Sequence, residues 1–146
     1  MTGNLSFWLE KNAAFTPDKI AIRFEGIAIS YESFSNRVHD HARALKHSHG
    51  VGRGDRVAFL GMNHPDLLYL FFACARLGAI FLPLNWRLAI PEHLFILKDA
   101  TVKVLICDAE LSSWEFWQGG ATVGKYSHAH YITWRHDATE QVGKHS

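Results

Sequence analysis

The sequence predicts an α/β fold: a partial doubly wound sheet with parallel strands, preceded by a small N-terminal hairpin. Three observations carry this. Short apolar runs at residues 56–60, 79–84 and 103–107 have the character of strands covered on both faces. Helical patterns separate them, and strand–helix–strand order with short connections demands parallel strands and right-handed crossovers. Ahead of them, an alternating stretch breaks at a glycine and resumes, which is the signature of a hairpin.

Taken in order, Leu5, Trp8, Leu9 and Ala13 fall on one helical face, and Pro17 marks the end of that helix. Ile20, Ile22 and Phe24 alternate with Ala21, Arg23 and Glu25, so the segment reads as a half-buried strand. Glu25-Gly26 is the turn, and residues 27–30 return. Ser30 caps a helix whose apolar face is Phe34, Val38, Ala42 and Leu45, ended by Gly50. After the strand at 56–60, Asn63 or His64 offers a cap and Pro65 sits near the first helical position. Leu67, Leu68, Leu70, Phe71, Phe72 and Cys74 surround the next helix, which predicts burial all round. Gly78 ends it ahead of the second strand. A short helix from Pro91 turns Leu94, Leu97 and Ile90 inward, and the third strand comes after it.

Beyond Glu110 this order stops. Residues 111–146 hold three of the five tryptophans and four of the ten histidines, with no sustained apolar period. A boundary is expected at 109–111, separating an α/β subdomain over 1–110 from an irregular, poorly ordered tail over 111–146.

Composition narrows the function. Fifteen basic against fourteen acidic side chains leave a net charge of +1, which gives no footprint of a nucleic-acid binder or a polybasic membrane arm. The longest apolar run, residues 67–75, is far short of the roughly 20 residues a membrane span needs. Glu10 and Lys11 interrupt the first apolar stretch, so no signal peptide is read there. Two cysteines, Cys74 and Cys107, are too few for a disulfide framework and are expected as buried thiols in a reducing, cytoplasmic setting.

Several motifs invite chemistry. Gly50, Gly52 and Gly54 suggest a dinucleotide loop, yet the order here is helix, glycines, strand, and the fingerprint needs strand before helix. Gly119 to Lys125 matches G-x-x-x-x-G-K, but Tyr126 stands where Ser or Thr would hold magnesium. The pairs His39/His41, His47/His49 and His128/His130 suggest metal. On a helix, i,i+2 side chains diverge by about 200° and cannot share an ion. His136 adds no carboxylate or thiolate framework to the last pair. No metal site or catalytic residue is assigned. In open α/β sheets, ligands sit beyond the carboxyl ends of the strands. Those ends are Asn63, then Asn85, Trp86 and Arg87, then Asp108. They either form a polar binding cluster or serve structure, with Asn63 as a cap and Asn85 turning a loop.

Residues 16–22 (TPDKIAI), 29–34 (ISYESF), 50–58 (GVGRGDRVA), 71–79 (FFACARLGA) and 83–88 (PLNWRL) form an ordered set of motifs. In order and spacing over residues 5–110 this set resembles the adenylate-forming, AMP-binding enzymes, close to fatty-acyl-CoA synthetases. The resemblance implies the incomplete first subdomain of that fold, from a several-fold longer ligase. Such a ligase activates a carboxylic acid with ATP and magnesium and passes the acyl group to coenzyme A. Gly119, Gly120, Ala121, Thr122 and Lys125, with the stretch to Trp134, are similar to a shortened adenylating loop and its following helix; an unrelated tail is the alternative. An intact loop ending Pro-Lys-Gly, the Thr-Glu motif, the ribose-binding Asp and the catalytic Lys are not in this chain. An inactive fragment, carrying no cofactor itself, is therefore expected. The competing expectations are a short interaction protein, self-associating through an exposed sheet edge, and a decayed gene product.

Overall fold

The computed structural model describes residues 5–61, 65–85, 87–108, 122–126 and 129–133. The chain divides into two units, each drawn from two stretches: Met1–Arg53 with Asn63–Ala79, and Gly54–Met62 with Ile80–Ser146. This division follows tertiary contacts.

In the first unit, helix α1 spans Leu5–Phe15 and buries Leu9. Thr16 closes it, its backbone N–H and hydroxyl both donating to the Asn12 carbonyl (2.8 and 3.0 Å). Strands β1 (Ile20–Phe24) and β2 (Ile27–Ser30) pair antiparallel. Their two-residue turn holds Glu25 at φ 48° and Gly26 at φ 78°. Positive φ at both positions matches the twist of the strands, which is why glycine occupies the second. Ser30 then accepts a hydrogen bond from the Ser33 amide (3.2 Å), capping α2 over Tyr31–Arg43. Phe34, Ser35, Val38, His41 and Ala42 form its buried stripe, and a π-helical turn over Ala44–Ser48 carries Leu45 into the core.

Helix α3 (Pro65–Leu77) buries Pro65, Asp66, Tyr69, Leu70, Ala73 and Cys74, two residues per turn on one face. The all-round burial expected of it is corrected here, because Leu68 and Phe71 remain over a third exposed. An apolar side chain off the packing stripe is free to stay on the surface. At its end Gly78 adopts φ 71° and the Ala79 amide reaches back to the Cys74 carbonyl (2.9 Å), a left-handed cap that favours glycine. Three helices meet through rings: Trp8 stacks on Phe72, and Phe34 sets its edge against both Phe72 and Tyr69.

The second unit is a five-stranded sheet ordered β4-β3-β5-β7-β6. Strands β3 (Arg56–Leu60), β4 (Ile80–Leu84) and β5 (Val104–Asp108) are mutually parallel, as expected. Strands β6 (Thr122–Tyr126) and β7 (Ala129–Thr133) are antiparallel, β7 lying against β5. These two strands stand within the stretch for which an irregular tail is expected; the rest of 109–146 lies outside the described residues. Helix α4 spans Ile90–Asp99, and its Glu92 carboxylate accepts the Ala89 amide (3.0 Å). Leu97 faces inward as expected, while the side chains of Ile90 and Leu94 lie outside the described residues. Ala58, Leu60, Leu84, Leu97, Val102 and Leu105 form the core of this unit. Thr101 takes φ 52° after α4, letting the Val102 amide bond the Leu97 carbonyl (3.1 Å).

Strand β4 ends the sheet order. Because the Ile80 amide donates to the Asp55 carbonyl (2.8 Å), Ile80, Leu82 and Leu84 turn their backbone groups toward β3. Phe81 and Pro83 therefore face outward, and Pro83 has no N–H to offer there.

Candidate functional site

The parallel register aligns the carboxyl ends of the strands, with Leu60 opposite Leu84 on one side and Cys107 on the other. Of the polar cluster expected beyond that edge, Asn63 and Trp86 lie outside the described residues, as does the Asp108 side chain. The Asp108 backbone pairs with Ala129. Asn85 makes an Asx turn: its Oδ1 accepts the Arg87 amide (3.0 Å) and its carbonyl accepts the Leu88 amide (3.1 Å). Its side-chain oxygen thus has a structural task, turning the loop that leads to α4. Asn85 and Arg87 are both exposed.

His93, in the first turn of α4, was not singled out by any motif, yet it is 3% exposed. Its Nδ1 has no hydrogen-bond partner among the described residues. Burial lowers its pKa, against the pull of Glu92 and a bond to the Leu88 backbone. Its spacing of four from buried Leu97 was the available signal.

In the first unit the histidines separate as helix geometry requires. His39 reaches Glu10 of α1 (3.7 Å), while His41 turns inward with its Nε2 4.0 Å from Asp66 of α3. The His41 Nδ1–H donates to the Arg37 carbonyl (2.7 Å), and the ring lies 5.6 Å from that of Tyr69. Burial lowers the His41 pKa more than Asp66 raises it, and burial raises that of Tyr69. Cys74 is buried, which pushes its thiol up to about 12 and makes thiolate chemistry unavailable at neutral pH. The Cys107 side chain, His128 and His136 lie outside the described residues.

The glycines at 50–54 form the turn into β3, with Gly50 at φ 65° and Gly54 at φ 84°. The described part of Gly119 to Lys125 lies in β6, where Gly124 pairs with Tyr131 and Lys125 with His130. A phosphate loop needs successive backbone N–H groups converging on one anion. A strand ladder alternates them to opposite sides, and β6 leads into a second strand, β7, where the loop would need a helix. The described residues of that stretch, Thr122 to Lys125, thus stand in a strand ladder, while Gly119, Gly120 and Ala121 lie outside the described residues.

The parallel β4-β3-β5 sheet with its preceding hairpin and helices is the N-terminal-domain architecture of adenylate-forming enzymes. The AMP-binding enzyme family model matches residues 9–142. The chain belongs to the AMP-binding enzyme family. It is 48% identical over 104 residues to the indoleacetate–CoA ligase of Aromatoleum aromaticum, covering 71% of this chain and 20% of that ligase. With a feruloyl-CoA synthase from Amycolatopsis it shares 44% over 102 residues, covering 70% and 21%. The fatty acyl CoA synthetase structure from Mycobacterium tuberculosis superposes with a TM-score of 0.71 at 33% identity, covering 75% of this chain and 22% of that one. The chain thus spans about a fifth of the length of these relatives.

Proposed function

We propose that this chain is the N-terminal portion of an ATP-dependent acid–thiol ligase, and that by itself it is a scaffold without adenylating activity. The family match over 9–142 supports the ligase reading. The observation that carries the second half is the placement of Gly124 and Lys125 in the β6 ladder, whose amides do not converge on one anion as an adenylating loop requires. Adenylation builds negative charge on the α-phosphate, and positioned donors with a metal must stabilise it. ATP, magnesium and coenzyme A are assigned to the longer ligase.

The relatives' names span aryl and fatty acids, so the proposed substrate class is a carboxylic acid of either kind, broader than the fatty acid first expected. A cytoplasmic location fits that chemistry, and no helix among the described residues is long and apolar enough to cross a membrane. Pyrophosphate exchange with the purified chain tests the reading, using ATP with indoleacetate, ferulate or a long-chain fatty acid. Exchange at background is expected; turnover at enzyme-like rates with any of the acids defeats the scaffold reading.

A second reading is an interaction protein. Exposed Phe15 (77%), Ile27 (64%) and Phe95 (70%) favour it. The open edge at β4 is a poor route to it, since Pro83 blunts that edge. A monomer in light scattering that binds no apolar-surface dye would exclude it.

A further inference from the structure

The first unit contains a cleft of about 530 Å³ between the start of α1 and the carboxyl ends of α2 and α3, within the size range of small-molecule sites. One face of α2 and its π-helical turn supplies His39, Ala42, Arg43, Lys46 and His47. Phe7 and Glu10 come from α1, and Arg76 with Leu77 from α3. Three permanent cations thus meet one carboxylate. Glu10 is held by Arg76 and by His39, and Arg43 is paired with Asp40. Neither Lys46 nor His47 has an ion pair among the described residues.

Basic residues near helix carboxyl ends usually serve the unpaired terminal carbonyls. Here several of those carbonyls are already taken. Ala75 and Cys74 accept the amides of Gly78 and Ala79, and Leu45 accepts the amide of Val51 (2.9 Å). Lys46 is left to face the cleft, beside Arg43 and Arg76, whose charges are shared with Asp40 and Glu10. Its apolar wall is small: the half-exposed Phe7 ring, Ala42 and Leu77. A guanidinium fork and a compact ammonium together suit a phosphate group, the first by paired hydrogen bonds and the second as a point charge.

We propose that this cleft binds a phosphate-bearing small molecule, its phosphate at Arg43, Lys46 and Arg76 and its apolar body against Phe7 and Leu77. The assignment is independent of the ligase reading. A soluble phosphate compound and a lipid headgroup present the same chemistry, and the test separates them. Calorimetric titration of the full 146-residue chain with inorganic pyrophosphate is one arm. Sedimentation with phosphatidylcholine vesicles, with and without phosphatidic acid, is the other.

Saturable pyrophosphate binding is expected, weakening at least tenfold in the double variant Arg43→Glu/Lys46→Glu and falling with added salt. Lys98→Glu, on α4 in the other unit, should leave it unchanged. Selective pelleting with phosphatidic acid, lost in the same double variant, assigns the phosphate to a lipid. No saturable binding in either arm overturns the proposal, as does equal weakening by Lys98→Glu. Should the double variant fail to fold, the His47 ring resonances of the unaltered chain decide: a saturable shift on adding pyrophosphate supports the site, and none refutes it.

Discussion

The Nε2 atom of His41 lies 4.0 Å from Oδ1 of Asp66, across the contact between α2 and α3, and both side chains are buried. Since Nδ1 donates to a carbonyl, the neutral ring turns its lone pair toward the carboxylate. Protonation would change that contact to an attraction, but at the cost of charging a buried imidazole. Burial outweighs the hydrogen bond to the Arg37 backbone and the Asp66 and Asp40 carboxylates, which favour the charged form. The Arg37 guanidinium opposes that form too, so the His41 pKa stands below 6.5.

That sign sets a pH dependence. The unfolded chain takes up a proton near pH 6.5, while the folded chain takes it up only at lower pH. Stability is therefore complete above 6.5 and is lost as pH falls from there through the folded pKa. His39, His49 and His93 are shifted the same way by burial and add to the slope. Melting temperature measured from pH 8 to 5 should fall below 6.5. Asp66→Asn removes the group that favours imidazolium and should steepen the fall; an unchanged fall would show the carboxylate to be irrelevant, and a shallower one would reverse its sign.

Leu105 is fully buried in the centre of the second unit's core. Leu105→Ala should cost about 3 kcal/mol, the sum of lost transfer energy and an unfilled cavity. Denaturant titration measures it, and a loss under 1 kcal/mol would mean that the core around β5 is not packed as described.

Thr101 is a β-branched residue at φ 52°. The left-handed region costs such a residue about 1–2 kcal/mol, part of which glycine repays in unfolded-state entropy. Thr101→Gly should stabilise the chain by about 0.5–1 kcal/mol. Destabilisation instead would point to a Thr101 contact that matters more than its backbone.

At β4, Pro83 withholds a hydrogen-bond donor from the sheet edge. Pro83→Val restores that donor with a strong strand former, so concentration-dependent association should increase in light scattering. If the variant stays as monomeric as the parent, the edge is protected by something other than the proline.

What was legible in the sequence was local. Glu25-Gly26, Ser30 and Gly78 fix their turns and caps through their own backbone preferences, and the structure has them where the sequence put them. The parallel strands were legible because burial on both faces leaves an uninterrupted apolar run. Strands β6 and β7 were not, since Gly124, Lys125 and His130 break any apolar pattern and their pairing depends on β5, distant in sequence. At the candidate site, Asn85 was readable as a turn residue. His93 was not, because a buried histidine looks like a polar surface position until its neighbours are known.

The division of each unit between two stretches of chain has a consequence for synthesis. When residues 56–60 leave the ribosome, their neighbour β4 has not yet emerged. Roughly 24 further residues must emerge before β4 is complete, which at about 5–20 residues per second takes on the order of one to five seconds. During that interval Val57, Ala58, Phe59 and Leu60, each under 5% exposed once folded, have no sheet to enter. The nascent chain is most vulnerable to aggregation and most in need of a chaperone in this window, and slowing translation just past Leu60 would lengthen it.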